Sequence, residues 1–167
     1  MVLDVLLSPE FWSPDAYFSR YAWPVEYVVR AVKDIGWIGL SLGDTLGPLA
    51  NMGQSLYDPP DVSGWDLGQS WFSTGAMLAR MNFASTLASN QKFRLAVAAR
   101  PQAQTPEALL SWALDSLMTA PLDSPVRAEL ANYLVATGPW TGTDAQLQAK
   151  ASGLMHLIAG SAEYQLI

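Results

Sequence analysis

The chain has 167 residues, half of them apolar, which is enough for one domain with a core of its own. Nine Lys and Arg against fifteen Asp and Glu make it acidic, with a formal net charge of -6, and this charge disfavours nucleic acid as a partner. The absence of cysteine and the single histidine exclude disulfides, cysteine-ligated zinc and every site that needs two imidazoles. We therefore expect no metal and no cofactor.

The N-terminal residues carry an acid at position 4 and no basic leader, so we expect no signal peptide in this chain. The longest uncharged stretches, such as 67–79 and 151–162, are too short and too polar to cross a bilayer. No membrane span is predicted.

Proline directly after Ser or Thr marks the predicted helix starts, because a hydroxyl suits the N-cap and proline suits the first helical position. These pairs are Ser8-Pro9, Ser13-Pro14, Thr105-Pro106 and Ser124-Pro125. Apolar residues at helical spacing predict helices over 24–35, 40–52, 71–88, 106–119, 125–136 and 144–159. No segment alternates with period two for long enough to predict a strand. We therefore predict an all-α fold for a single domain over 1–167, an irregular bundle of about six to eight helices.

One long loop rich in Pro, Gly and Trp interrupts this pattern at 54–70. Long loops in compact domains are often functional, so its polar and aromatic residues are the candidate surface for a ligand or a partner. These residues, with the first aromatic after the loop, are Tyr57, Asp58, Asp61, Trp65, Asp66 and Trp71. The two indoles are expected to pack against the helix over 71–88, which keeps the loop ordered.

The loop residues allow more than one chemistry. Its three aspartates could form turns, hold calcium or act as an acid/base pair, and their spacing favours turns. Trp65 and Trp71 with Tyr57 could form a stacking platform for a sugar, or could simply fasten the loop to the following helix.

Arg80 lies on the helix over 71–88, which is apolar on nearly every side and belongs in the middle of the fold. A guanidinium there needs a partner, since an unpaired buried charge is costly. We predict a structural ion pair with Glu26, and a loop aspartate as the second choice.

Several runs of the sequence resemble the bacterial domain-of-unknown-function family number 1800. They are LSPEFW at 7–12, PVEYVVRA at 24–31, GQSLYDPPDVSGW at 53–65, WFST at 71–74, LARMNFA at 78–84 and SAEYQL at 161–166. The resemblance implies an exported, extracytoplasmic bacterial protein that is several times longer than this chain. It places the chain in the C-terminal part of such a protein and implies no particular reaction.

Three functional hypotheses follow. The first is a helical binding or scaffold segment of an exported bacterial protein, with 54–70 as its interaction surface. The second is a carbohydrate-associated binding module, and the third is the C-terminal part of a hydrolase whose other site residues lie outside this chain. Whether the protein is an enzyme stays open. Because few residues are charged, we expect exposed apolar helical faces that bind a protein partner or a second copy of the chain.

Overall fold

The computed structural model describes residues 1–36, 41–89, 95–101, 105–118, 122, 124–136 and 138–167. These residues form an all-α fold, and within them two single residues, Tyr21 and Leu166, make an antiparallel bridge without forming a strand. The helices are α1 (Val2–Leu6), α2 (Pro24–Ile35), α3 (Gly43–Asn51), α4 (Thr74–Ser89), α5 (Leu95–Ala99), α6 (Pro106–Leu117), α7 (Ser124–Val135) and α8 (Asp144–Ala159). Short 3-10 turns occupy Pro14–Ala16, Gly68–Phe72 and Glu163–Gln165.

The long helices begin and end where capping chemistry predicts. Helix α2 starts at Pro24 and ends before Gly36, whose left-handed φ of 76° glycine adopts at little cost. The Thr105 and Thr143 hydroxyls cap α6 and α8 by accepting hydrogen bonds from backbone N–H groups three residues ahead. Local sequence therefore determines these boundaries.

Other predicted boundaries need correction. Ser8-Pro9 begins no helix, and Ser13-Pro14 begins only a single 3-10 turn. The helix predicted from 71 starts at Thr74, because the Ser73 hydroxyl accepts a hydrogen bond from the Ala76 N–H. The predicted ends at Leu40 and Thr119 lie outside the described residues.

Helices α4 and α8 form the centre of the bundle. Helix α8 packs against α4, α5, α6 and α7, while α4 also contacts α2 and α3. Their buried apolar side chains belong to one core cluster with those of α2 and α6. The position predicted for α4 is thus confirmed, although Leu78 and Met81 on its outer face are exposed.

The N-terminal segment lies outside this core. Helix α1 buries none of its residues, and its apolar side chains are exposed together with Leu7, Phe11 and Trp12. Among the described residues, no helix is both long enough and apolar enough to span a membrane. Exposed apolar side chains are therefore frequent in the N-terminal segment, and self-association through apolar helical faces stays a prediction.

Candidate functional site

The loop over 54–70 is fastened at its start by Gln54. This side chain is buried, and its Oε1 atom accepts a 2.9 Å hydrogen bond from the N–H of Val25 in the first turn of α2. The Gln54 N–H donates to the carbonyl of Leu49 in α3. One residue thus ties the loop to two helices.

The other end of the loop is fastened by Trp71, which is only 5% exposed. Its ring centroid lies 6.0 Å from that of Trp23, and a Cβ atom on Gly53 would lie 3.7 Å from its Cζ3 atom. Trp65 is partly buried. Both indoles are thus at least partly buried, as expected, while their packing against the helix predicted over 71–88 stays a prediction.

Between these two anchors most residues of the loop are exposed, and Leu56, Gly64 and Trp65 are partly buried. Tyr57 is 98% exposed and has a φ of 64°, which is unusual for a residue with a side chain. Val62 and Leu67 are also exposed. The loop therefore exposes an aromatic and two aliphatic side chains to solvent.

The three loop aspartates are exposed and do not form a shared site. The Asp61 carboxylate accepts a 2.7 Å hydrogen bond from the Ser63 N–H, which is a turn-forming contact. No group of three His, Asp or Glu in the described part of the chain is placed to hold a metal ion. Asp58, Asp61 and Asp66 are therefore not gathered as a calcium site.

A cavity of about 240 Å³ lies on the inner face of the loop. Its lining includes Asn51, Trp65, Asp66, Trp71 and Ser73. Both indole N–H groups are buried and have no hydrogen-bond acceptor in the described structure. Because these two nitrogens expose almost no surface, they do not face the open volume of the cavity, and Trp140 outside the cavity carries an unpaired indole N–H of the same kind.

The predicted ion pair between Arg80 and Glu26 is wrong, because Glu26 pairs with Arg20 instead. Glu26 binds Arg20 through two hydrogen bonds of 2.8 and 2.9 Å and also accepts the Trp23 N–H. The hydrogen bonds from Arg20 lower the pKa of the Glu26 carboxyl. Arg20 lies at the surface, so this pair forms with less desolvation than a buried one would need.

Arg80 is fully buried, as predicted, but its partners are neutral. Its Nη1 donates to Gln165 Oε1 at 2.9 Å and its Nη2 donates to the Ala22 carbonyl at 2.8 Å. Its guanidinium carbon lies 5.0 Å and 4.6 Å from the ring centroids of Tyr27 and Phe72. Burial lowers the pKa of Arg80 to about 10, so the group stays charged at neutral pH.

A second arginine, Arg30, was missed by the sequence analysis. It donates to the carbonyls of Leu117, Tyr164 and Leu166, and its guanidinium lies 4.1 Å from the Tyr164 ring centroid. Burial raises the pKa of Tyr164, whose hydroxyl donates to Asp34. The i, i+4 spacing of Arg30 and Asp34 on α2 was the available signal for this cluster.

The comparison of this sequence with known proteins identifies its family. The sequence model of a family described as "Protein of unknown function (DUF1800)" matches residues 1–166. No curated protein and no solved structure shows a significant match to the chain.

Proposed function

We propose that this chain, which belongs to the DUF1800 family, is a helical binding segment whose loop over 54–70 contacts a protein partner. The observation that carries the proposal is Tyr57. Its ring is almost fully exposed while its backbone is held in the left-handed region without being glycine. Such strain persists only where the surrounding structure enforces it, and it is common at functional positions.

The anchoring of the loop supports this role. Gln54 and Trp71 hold its two ends against α2, α3 and Trp23, so the outer face keeps its shape without a ligand. A preorganised loop loses less conformational entropy on binding than a mobile one. Anchored ends and an exposed centre are therefore what a recognition loop requires.

The side chains on the outer face suit a protein partner. Tyr57 offers a large rigid surface at small entropic cost, and tyrosine is frequent among the residues that dominate protein interfaces. Val62 and Leu67 are further exposed apolar side chains of the loop, and Asp58 and Asp61 are exposed charged ones. Protein interfaces combine apolar and polar residues of this kind.

The proposed location is outside the cytoplasm, in an exported bacterial protein. This part of the proposal rests on the family resemblance of the sequence motifs. It predicts that the partner of the loop is itself an exported or envelope protein.

Site-specific photocrosslinking in a bacterium that encodes the protein tests this function. A benzophenone amino acid is placed at Tyr57 or Val62, and at Val135 as the control, because Val135 is exposed at the end of α7, outside the loop. We expect positions 57 and 62 to yield the same adduct and position 135 to yield none. Absence of an adduct at both loop positions, or equal labelling from position 135, would contradict the proposal.

A further inference from the structure

We propose that the exposed face of α2 pairs with the same face of a second copy of this chain, in an antiparallel two-fold dimer. None of the residues that carry this inference is an exposed residue of the loop over 54–70, so the inference goes beyond the proposed protein contact. It rests on an apolar ridge with open space on both sides and on the charges beside that ridge.

The ridge runs along the exposed face of α2. Val25, Val29 and Val32 recur at the spacing that places side chains on one side of a helix. Val25 and Val32 are partly buried, whereas Val29, in the middle of the helix, is 52% exposed. Contact with a second protein surface would remove this apolar side chain from water, which is favourable.

Open space lies on both sides of the ridge, and Val25 and Val29 line both depressions. One depression, of about 440 Å³, extends from the ridge to Ile167, and the other, of about 310 Å³, extends to Thr45 and Leu49 of α3. When helices pack, a ridge of side chains on one helix fits into a groove beside the ridge of the other. Because this face carries both a ridge and grooves, a second copy of the same face complements it.

The charges beside the ridge are balanced, although the chain as a whole is acidic. Glu26, Arg30, Lys33 and Asp34 line the larger depression and contribute two negative and two positive charges. The whole chain has a formal net charge of -6, so two copies repel each other where acidic surfaces meet. A face without net charge is therefore suited to a contact between two copies.

One charge of this face has no partner within the described part of the chain. Arg30 pairs with Asp34, and Glu26 pairs with Arg20. Lys33 is exposed, and its side chain makes no hydrogen bond or ion pair with any described residue. Lys33 is therefore available to a carboxylate of a second copy.

The position of Lys33 along the helix selects that carboxylate. Helix α2 spans Pro24–Ile35, and Glu26 and Lys33 each lie two residues from its nearer end. When two copies of α2 pack antiparallel about a two-fold axis at the helix midpoint, Lys33 of each copy lies opposite Glu26 of the other. Glu26 is partly exposed beside Arg20, so it can accept a second cation. The same axis passes close to Val29 of both copies, so two ion pairs flank an apolar centre.

Analytical ultracentrifugation of the whole chain tests the proposal through the fraction of dimer at several protein concentrations. We expect a monomer–dimer equilibrium, which Val29→Asp should weaken at least about 10-fold, because it places a carboxylate in the apolar centre of both copies. Val135→Asp is the matched control, since Val135 is 54% exposed at the end of α7 and its change should leave the equilibrium unaltered. Thermal melting checks that each variant is folded.

Exchange of charges tests the antiparallel register of the two helices. Lys33→Glu alone puts acids opposite each other at both ends of the contact, and Glu26→Lys alone puts bases there. Each variant alone should therefore form the dimer about 10-fold more weakly. In a mixture of the two variants each acid again lies opposite a base, so a mixed dimer should form about as tightly as the dimer of the unaltered chain.

The proposal is overturned if the chain stays monomeric at every concentration, or if Val135→Asp weakens the dimer as much as Val29→Asp. It is also overturned if mixing Lys33→Glu with Glu26→Lys fails to restore the dimer, because the two helices would then not meet in the antiparallel register. These outcomes are independent of the crosslinks formed at Tyr57, so either proposal can fail alone.

Discussion

The junction around Arg80 and the loop over 54–70 both bury polar groups, but they satisfy them differently. At the junction both terminal nitrogens of Arg80 have acceptors, and the Tyr27 hydroxyl donates to two carbonyls. In the loop, the buried N–H groups of Trp65 and Trp71 have no acceptor.

This difference assigns the junction around Arg80 to the stability of the fold and leaves the loop as the candidate binding region. The contacts at the junction join α2, α4 and the C-terminal turn to one another, and its remaining unpaired donor, the Arg80 Nε, lies inside the core. The unpaired donors of the loop belong instead to Trp65 and Trp71, in a segment whose other side chains, such as Tyr57 and Val62, are exposed. Substitutions at the junction should therefore affect stability, and substitutions in the loop should affect binding.

The largest effect is expected for Arg80→Ala. The change leaves a cavity and removes the donors from the Ala22 carbonyl and from Gln165, so it should lower the free energy of unfolding by about 3 to 5 kcal/mol. Urea denaturation measures the loss. Arg100→Ala is the matched control, because Arg100 is exposed and pairs with Asp144 at the surface, where loss of the pair costs about 1 kcal/mol at most. Equal losses for the two variants would remove the distinction between the junction and the surface.

Tyr27→Phe should have an intermediate effect. The Tyr27 hydroxyl donates to the carbonyls of Arg80 and Ala159 at 3.0 and 3.2 Å, and it is buried. Its removal should lower the free energy of unfolding by about 1 to 2 kcal/mol, as measured by urea denaturation. Tyr57→Phe, the same change at an exposed position, should alter the free energy of unfolding by less than about 0.5 kcal/mol. A larger effect would show that the Tyr57 hydroxyl contributes to the stability of the fold.

Tyr57→Gly should act in the opposite direction. Glycine adopts a φ of 64° without the penalty that a Cβ atom brings, so the variant should gain about 0.5 kcal/mol of stability. Tyr57→Ala keeps the Cβ atom and should gain nothing. Thermal melting of both variants tests this, and equal stability of the two would mean that the backbone at Tyr57 is not strained. The Tyr57→Gly variant should also lose the adduct that a benzophenone at position 62 forms with the partner.

The pH dependence of the Arg20–Glu26 pair should also be a small effect. Arg20 lowers the pKa of Glu26 in the folded state, so the pair stabilises the fold above the ordinary glutamate pKa and loses its effect as the pH falls through the folded value. Both side chains are partly exposed, which limits the contribution to about 1 kcal/mol. In urea denaturation at about pH 7, the unaltered chain should be more stable than Glu26→Gln. The difference between the two proteins should be smaller at about pH 3. A difference that persists at low pH would contradict this assignment.

The sequence predicted most of the fold because helix boundaries are local. Pro24 and Gly36 delimit α2, and the hydroxyl of Thr143 starts α8, through contacts within a few residues. The partners of Arg80 could not be predicted in this way. Ala22 and Gln165 are 58 and 85 residues away from it, and one acceptor is a backbone carbonyl, which every residue carries.

The candidate site was predicted in outline only. The composition of the loop indicated its location and the partial burial of its indoles. Which aromatic faces solvent depends on the left-handed backbone at Tyr57, and nothing in the local sequence signals it, since neither Gly nor Asn stands there. The cavity beneath the loop likewise requires residues from α3, such as Asn51, to meet Trp65 in three dimensions.

The contact between Arg80 and Gln165 also sets an order of events during synthesis. A ribosome adds about 5 to 20 residues per second, so the 85 residues between them require roughly 4 to 17 s. Throughout that interval Arg80 has been translated and Gln165, whose side chain accepts from its guanidinium, has not. The contacts at the centre of this bundle are therefore completed only after Gln165 has been translated.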